Sequence, residues 1–89
     1  MIRALFVGGA VDNSELDLEP DRAPVHYPAD GGSGQARYRL RQLGVRDDGG
    51  TACAVYAAPD TSVAEVHRIS AERDYARRFG VELQDVDGD

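Results

Sequence analysis

The chain has 89 residues and a mass of 9.6 kDa, enough for one small domain with a single modest core. Hydrophobic residues make up 42% of the sequence and charged residues 29%, a balance typical of a folded domain rather than a disordered chain. Sixteen acids against ten basic residues give a formal net charge of −6, which argues against general binding to nucleic acid. There is one cysteine, no apolar run of membrane-spanning length and no secretory signal pattern, so we expect a cytoplasmic protein without an internal disulfide.

The first part of the sequence predicts a β-hairpin. Residues 2–7 are rich in β-forming side chains. Gly8-Gly9 ends this run, and Asp12-Asn13 then provides residues that tolerate the positive φ of a tight turn. In residues 14–18, leucines alternate with acidic side chains, which is the period-two pattern of a half-buried strand. We expect the two strands to pair.

Prolines and glycines divide the next stretch of the chain. Pro20, Pro24 and Pro28 confine residues 25–27 to a short edge strand, because proline cannot donate to a β-ladder. Residues 30–34 are rich in glycine and are predicted to form a flexible loop.

Residues 36–43 give the clearest strand pattern, in which apolar side chains alternate with arginines. Asp and Gly residues at 47–50 then predict a turn, and residues 51–57 predict a second strand that pairs antiparallel with the first. Cys53 alternates onto a face of this strand where a small apolar residue belongs, so we interpret it as structural.

The hydrophobic period then changes to that of a helix. Ser62 and Glu65 form a capping box, which predicts a helix start near Val63. Gly80 is a plausible residue to follow the last helical turn. The apolar stripe of the helix would consist of Val63, Val66, Ile69, Ala76 and Phe79, with Tyr75 beside it.

Together these elements predict a single α+β domain over residues 1–80, followed by an acidic tail at residues 81–89. The domain would be a small antiparallel sheet of four to five strands with one C-terminal helix packed on one face. We expect the other face of the sheet to stay partly solvated, as antiparallel sheets allow. The tail is expected to fray, although Val81 and Leu83 could dock.

The sequence has no recognisable catalytic or cofactor-binding motif, so we expect a protein that is not an enzyme and has no cofactor or metal. All ten basic residues are arginine, and the absence of lysine excludes Schiff-base and P-loop chemistry. Gly8-Gly9 lacks the third glycine and the helix of a dinucleotide-binding turn. Ser62, His67 and Asp60 lie on no nucleophile elbow, and Cys53 and the histidines lack zinc-module spacing.

A row of arginines is the first candidate contact surface. Arg37, Arg39 and Arg41 alternate along the predicted strand, so their guanidinium groups would lie on one sheet face at intervals of about 6.5–7 Å. Such a row could bind phosphates or an acidic protein surface. It could instead be a solvated face that is paired across the sheet with acids such as Glu15 and Asp17.

The acidic segment around the predicted hairpin is the second candidate contact surface. Its candidate contact residues are Asp17, Glu19 and Asp21. Such a segment could imitate the phosphates of nucleic acid and occupy the site of a nucleic-acid-binding protein. It could also be an ordinary solubilising surface.

Three segments of the chain together resemble a group of small tailed-bacteriophage proteins. Residues 4–13 read ALFVGGAVDN, where that group has Phe-Val-Gly-Gly-Pro-x-Asp-Gly. Tyr38-Arg39-Leu40 and Val55-Tyr56 are similar to its Tyr-x-Leu strand and to the aromatic strand that follows. The chain departs from the pattern at Ala10 and Asn13, although Asn also tolerates the left-handed conformation of the turn. The resemblance implies a phage or prophage accessory gene. The lack of lysine, together with abundant Ala, Gly, Asp and Val, indicates a GC-rich genome.

The resemblance implies a function in binding. Small acidic phage proteins without catalytic signatures often bind and block a host protein. It therefore implies an inhibitor or modulator of a host nucleic-acid-handling or immune complex, in the cytoplasm of the bacterial host. No direct contact with nucleic acid or membrane is expected, and a homodimer is compatible with this role. The alternatives are a self-associating virion accessory protein and a small-ligand binder that uses the rings of Tyr27, Tyr38 and Tyr56.

Overall fold

The computed structural model describes residues 2–18, 23–27 and 37–86. In this part of the chain, six strands form one sheet and two helices precede the last strand. The strands are β1 (Ile2–Val7), β2 (Glu15–Leu18), β3 (His26–Tyr27), β4 (Tyr38–Val45), β5 (Thr51–Ala57) and β6 (Glu82–Asp85). The helices are α1 (Val63–Glu72) and α2 (Tyr75–Phe79). The flexible loop predicted at residues 30–34 lies outside the described residues.

The sheet joins two hairpins side by side. β1 pairs antiparallel with β2, and β4 pairs antiparallel with β5, so both predicted hairpins are confirmed. The hairpins meet through β1 and β5, which run parallel. On its other side, β4 pairs with the predicted short edge strand β3 along one half and with β6 along the other.

The predicted combination of a small sheet with helical structure is confirmed, but three details of the prediction are wrong. The sheet is mixed rather than antiparallel, because β1 and β5 are parallel neighbours. It has six strands in the described part of the chain rather than four or five. The helical segment is not C-terminal, because β6 follows it and returns to the sheet. Period-two alternation identifies a strand, but it carries no information about the direction of the neighbouring strand.

The single predicted helix is broken into two. Its start is as predicted, since the Ser62 hydroxyl accepts a hydrogen bond from the Glu65 amide at 3.1 Å. The break falls at Asp74, which adopts a left-handed conformation with φ of 59°. Past the break, Tyr75 points into the core and is 1% exposed, whereas Val63 from the predicted stripe is 49% exposed.

Apolar side chains are buried on both faces of the sheet. Residues 53–57 of β5 are all buried, so this strand is covered on both sides. The face beneath the helices contains Leu5, Val7, Cys53, Val55 and Ala57, packed with Val66 and Tyr75. The opposite face contains Ile2, Ala4, Phe6, Leu18, Leu40, Ala54 and Tyr56. The expectation of a partly solvated second face is therefore wrong for the centre of the sheet.

Residues 81–86 of the predicted acidic tail are folded rather than frayed. Leu83 lies opposite Gly44 in the β4–β6 ladder, and Val81 and Leu83 pack against the helix-side core. Gly44 is required for this close approach, because a Cβ atom there would collide with Cys53 Sγ and lie 2.8 Å from Val81 Cγ2. Docking of the two apolar side chains was the correct part of the prediction.

Candidate functional site

The acids of β2 belong to an ion-pair network on the helix side of the sheet. Arg3 lies opposite Asp17, and its Nη1 is 3.3 Å from Asp17 Oδ1. Glu15 Oε1 lies 3.8 Å from Arg3 Nε, and Glu15 Oε2 lies 3.0 Å from Nη1 of Arg78 on α2. Each exposed pair contributes at most about 1 kcal/mol to stability. Their larger consequence is that both carboxylates of β2 are already neutralised within the chain.

Only one of the three predicted acidic contact residues is described by the structure. Asp17 is exposed but is paired with Arg3. Glu19 and Asp21 lie outside the described residues. The cross-sheet pairing of the β2 acids with the β4 arginines, which was an open alternative, is wrong, because the acids pair with arginines of β1 and α2.

The arginine row on β4 is interrupted by a β-bulge at Arg41. The register between β4 and β5 shifts at this point. Arg39 lies opposite Ala57 and Gln42 lies opposite Val55, so both occupy positions on the helix side of the sheet. Arg41 itself has no Cα partner in this ladder. The regular spacing expected for Arg37, Arg39 and Arg41 is therefore interrupted at Arg41, because a bulge breaks period-two alternation.

Two arginines near β4 differ from most others in the described part of the chain. Neither Arg37 nor Arg41 forms an ion pair with any described residue. Arg37 is exposed, and Arg41 is half-buried with its Nε lacking a hydrogen-bond partner. By contrast, carboxylates pair with Arg3, Arg46, Arg68, Arg73, Arg77 and Arg78. His26 adds a further basic side chain at this edge, opposite Arg39.

A clamp between Asp12 and Arg73 fixes the loop that follows β1, and sequence reasoning missed it. Arg73 Nη2 donates to both carboxylate oxygens of Asp12, at 3.0 and 3.1 Å. Its Nη1 donates to the Phe6 carbonyl at 3.3 Å and to the Tyr75 hydroxyl at 3.1 Å. Asp12 also accepts from the Gly8 amide at 2.7 Å, and this bond, followed by that from Arg73, lowers the pKa of Asp12. The sequence explained Asp12 as a turn residue. No residue near Asp12 in the sequence indicated a contact with Arg73, which lies between the two helices.

The three tyrosines considered for ligand binding surround Phe6 in an aromatic cluster. Their ring centroids lie 5.4 Å (Tyr27), 5.2 Å (Tyr38) and 5.7 Å (Tyr56) from that of Phe6. The Tyr38 hydroxyl donates to the Gly8 carbonyl at 2.6 Å, and the Tyr56 hydroxyl donates to a backbone carbonyl just before β3 at 2.7 Å. Burial raises the pKa of Tyr56. Two of the three hydroxyls therefore hold loops against the sheet.

A polar cluster joins β4, α1 and β6. His67 Nε2 is 2.8 Å from Asp85 Oδ1, and Gln42 Nε2 donates to the same oxygen at 3.3 Å. These bonds, that of His67 first, lower the pKa of Asp85. Gln42 is only 5% exposed, and its Oε1 is buried without a hydrogen-bond partner. His67 is exposed, and no pattern in the sequence indicated this cluster.

The structure assembles no catalytic triad from the residues considered in the sequence. The Ser62 hydroxyl caps α1, and His67 contacts Asp85 rather than Asp60. Cys53 is fully buried, and burial raises its pKa to about 11, so the thiol is protonated near neutral pH. Within the described ranges, His, Cys, Asp and Glu side chains form no cluster of three or more that could hold a metal ion.

No family model, curated protein or solved structure matches this chain. In the part of the chain that the structure describes, neither helix is long and apolar enough to cross a bilayer. The function is therefore inferred from the charges and contacts of the chain itself.

Proposed function

We propose that this chain is a phage or prophage accessory protein that binds a host protein complex and modulates or inhibits it, without catalysing a reaction. One observation carries the mode of action: Arg37 and Arg41 have no ion pair among the described residues, although the sequence has 16 acids against 10 basic residues. Because acids are in excess, we assign the arginines that pair with no carboxylate in the described part of the chain to an external carboxylate. The resemblance of residues 4–13 to small phage proteins supports the origin.

The proposed contact surface is the β3–β4 edge, with Arg37, Arg39 and Arg41 as its contact residues. Guanidinium groups form planar, bidentate hydrogen bonds with carboxylates, which suits an acidic protein surface. Phosphates offer similar chemistry, but the net charge of −6 repels a polyanion and opposes direct nucleic-acid binding. The partner is therefore an acidic face of a host complex that handles nucleic acid or defends against phage, in the host cytoplasm.

The acidic segment is the less favoured surface for this function. Asp17 and Glu15 are already paired with arginines of this chain, and a partner would have to replace those contacts. Replacing one ion pair with another yields little net affinity, because Asp17 is exposed, Glu15 is partly exposed, and desolvation opposes each new pair.

The experiment is affinity capture with the tagged full chain from lysates of GC-rich bacteria, with and without nuclease, read by mass spectrometry. The test variant is the triple reversal of Arg37, Arg39 and Arg41 to Glu. The control is the double reversal of Arg68 and Arg77 to Glu, since these exposed helix arginines already pair with Glu72 and Asp74. Both variants are first checked for an unchanged circular dichroism spectrum and a cooperative thermal transition.

We expect one dominant, nuclease-resistant complex that binds the triple variant at least a hundredfold more weakly and the control nearly normally. Equal capture by the two variants would contradict the β4 contact surface. Enrichment of the chain alone, with higher oligomers in native mass spectrometry, would contradict host binding and support the alternative of a self-associating virion accessory protein.

A further inference from the structure

The edge of the sheet at β2 carries backbone groups that point away from the fold. β2 is the first strand in the order of the sheet, and in the described part of the chain it pairs with β1 alone. The Ser14 carbonyl accepts from the Phe6 amide at 3.1 Å, so it faces β1. Backbone direction alternates along an antiparallel ladder, so the backbone of Leu16 also faces β1. The amides and carbonyls of Glu15 and Asp17 therefore face outward, where they can pair with another strand.

These outward groups match those of a second copy of the chain related by a two-fold axis. With the axis at Leu16, Glu15 of one copy lies opposite Asp17 of the other, and both residues turn their backbones toward the axis. Each such pair exchanges two hydrogen bonds, so the two pairs give four. Leu16 meets its symmetry mate in the close pair between them. Its side chain packs on the face away from the helices and is only partly buried, so this contact removes apolar surface from water.

Charge distinguishes the β2 edge from the opposite edge of the sheet. Glu15 lies 3.0 Å from Arg78 and Asp17 lies 3.3 Å from Arg3, so two acids and two arginines balance at β2. Two copies can therefore meet there without bringing uncompensated carboxylates together. Within the described ranges, the acids of β6 have one basic partner, the imidazole of His67. Like charges on paired strands are destabilising, so the β6 edge is the poorer surface for a second copy.

We propose that two copies of this chain associate through β2, in an antiparallel strand pair centred on Leu16. Such an interface uses the same surface on both copies, so assembly stops at a dimer. The β3–β4 edge lies at the other end of the strand order, so this dimer is separate from the proposed host contact and neither proposal depends on the other. β2 has only four residues, so the dimer is weak, with an expected dissociation constant of about 10–100 μM.

The test measures the dissociation constant of the full chain by sedimentation equilibrium at concentrations from about 5 μM to 1 mM. Asp17→Pro removes the outward amide, a change that an edge strand tolerates. Asp17→Ala is its matched control, because it loses the same carboxylate but keeps the amide. We expect the proline variant to dimerise at least tenfold more weakly than the alanine variant. Circular dichroism of both variants separates loss of the contact from loss of the fold.

A second pair of variants tests the charge balance. Arg78→Met removes the closest cation from Glu15 and should weaken the dimer several-fold, and 0.5 M salt should reverse part of that loss because it screens the carboxylates. Arg77→Met is the control, since Arg77 is 87% exposed and pairs with Asp74 rather than with β2. Its dissociation constant should equal that of the parent chain.

Backbone amide chemical shifts locate the contact without any substitution. In a concentration series of the parent chain, the largest shifts should fall on Glu15 and Asp17, and their amides should exchange more slowly with solvent as the dimer forms. A chain that stays monomeric up to about 1 mM would overturn the proposal and leave the β2 edge to a strand of another protein. Equal dissociation constants for Asp17→Pro and Asp17→Ala, or shifts confined to other strands, would overturn it by placing the contact elsewhere.

Discussion

The β1–β2 hairpin and the β3–β4 edge are both rich in charge, but they use it differently. In the hairpin, Glu15 and Asp17 each contact an arginine, and the α2 helix supplies one of these partners. At the other edge, Arg37 and Arg41 contact no carboxylate in the described residues. Charge density along the sequence is therefore a poor guide to a binding surface. What matters is whether a charged side chain already has a partner of opposite charge within the fold.

Local geometry accounts for this difference. Antiparallel pairing places Arg3 directly opposite Asp17, where side chains of opposite charge meet at short range. On β4, the bulge at Arg41 removes it from a cross-strand position. Two residues before the bulge, Arg39 keeps a regular ladder position, opposite Ala57 on β5 and His26 on β3.

The comparison is tested most directly by reversing the charges of each surface in turn. Reversal of Asp17, Glu19 and Asp21 to Arg should leave capture of the host complex within about threefold of the parent chain, whereas reversal of the β4 arginines should lower it at least a hundredfold. Affinity measured by calorimetry or surface plasmon resonance on the identified partner gives both values. The opposite ranking would transfer the contact surface to the acidic segment.

Within the fold, the largest stability effect should come from the most heavily bonded arginine. Arg73→Met removes donors to Asp12, to Tyr75 and to the Phe6 carbonyl, so it should lower the free energy of unfolding by about 2–3 kcal/mol. Urea denaturation measures the change. Arg37→Met is the control, and it should change stability by less than about 0.5 kcal/mol. Similar losses in the two variants would contradict the distinction between Arg73, which is bonded to several groups, and Arg37, which forms no ion pair with a described residue.

The Asp12 clamp also predicts a dependence of stability on pH. The amide of Gly8 and the guanidinium of Arg73 lower the pKa of Asp12 below its ordinary value of 3.8 in the folded state. Its contribution is therefore fully present above that ordinary value and is lost as the pH falls through the folded-state value. Urea denaturation from pH 7 to pH 3 should show Asp12→Asn less stable at pH 7, with a gap that narrows on acidification. A gap that widens would contradict the sign of this shift.

The smallest expected effect is the coupling in the hairpin network. A double-mutant cycle of Glu15→Gln and Arg78→Met should give a coupling energy of about 0.5 kcal/mol, because the pair is close but partly exposed. The same cycle in 1 M salt should reduce that value, since screening weakens exposed pairs. A coupling energy near zero at low salt would show that the Glu15–Arg78 ion pair adds no stability. It would weaken the contrast between the β1–β2 hairpin and β4.

Much of the secondary structure was predictable because its signals are local. The alternation of leucines with acids in β2 and the apolar character of β1 depend on neighbours a few residues apart. The Ser62 cap and the left-handed residues Asn13 and Gly80 are likewise decided within one turn of chain. The candidate arginines were found in the same way, by their spacing along one strand.

The candidate sites themselves were less predictable. The bulge at Arg41 follows from pairing with β5 and β6, and it changed which residues share a face with Arg39. The clamp of Asp12 by Arg73 joins residues 61 positions apart, and the contact of His67 with Asp85 spans 18. Patterns within a short stretch of sequence cannot predict such contacts, because each contact depends on how whole helices and strands pack together.

By itself, the sequence determined that this chain forms strands, a capped helix and two hairpins, since turn residues, capping and side-chain alternation act over a few residues. Tertiary structure alone decided that β1 and β5 run parallel, that the helix breaks at Asp74, and that residues 82–85 return to the sheet. It also decided which of the described arginines pair with a described carboxylate. These outcomes depend on burying the apolar faces of β5 from both sides, and that requirement is met only when distant segments come together.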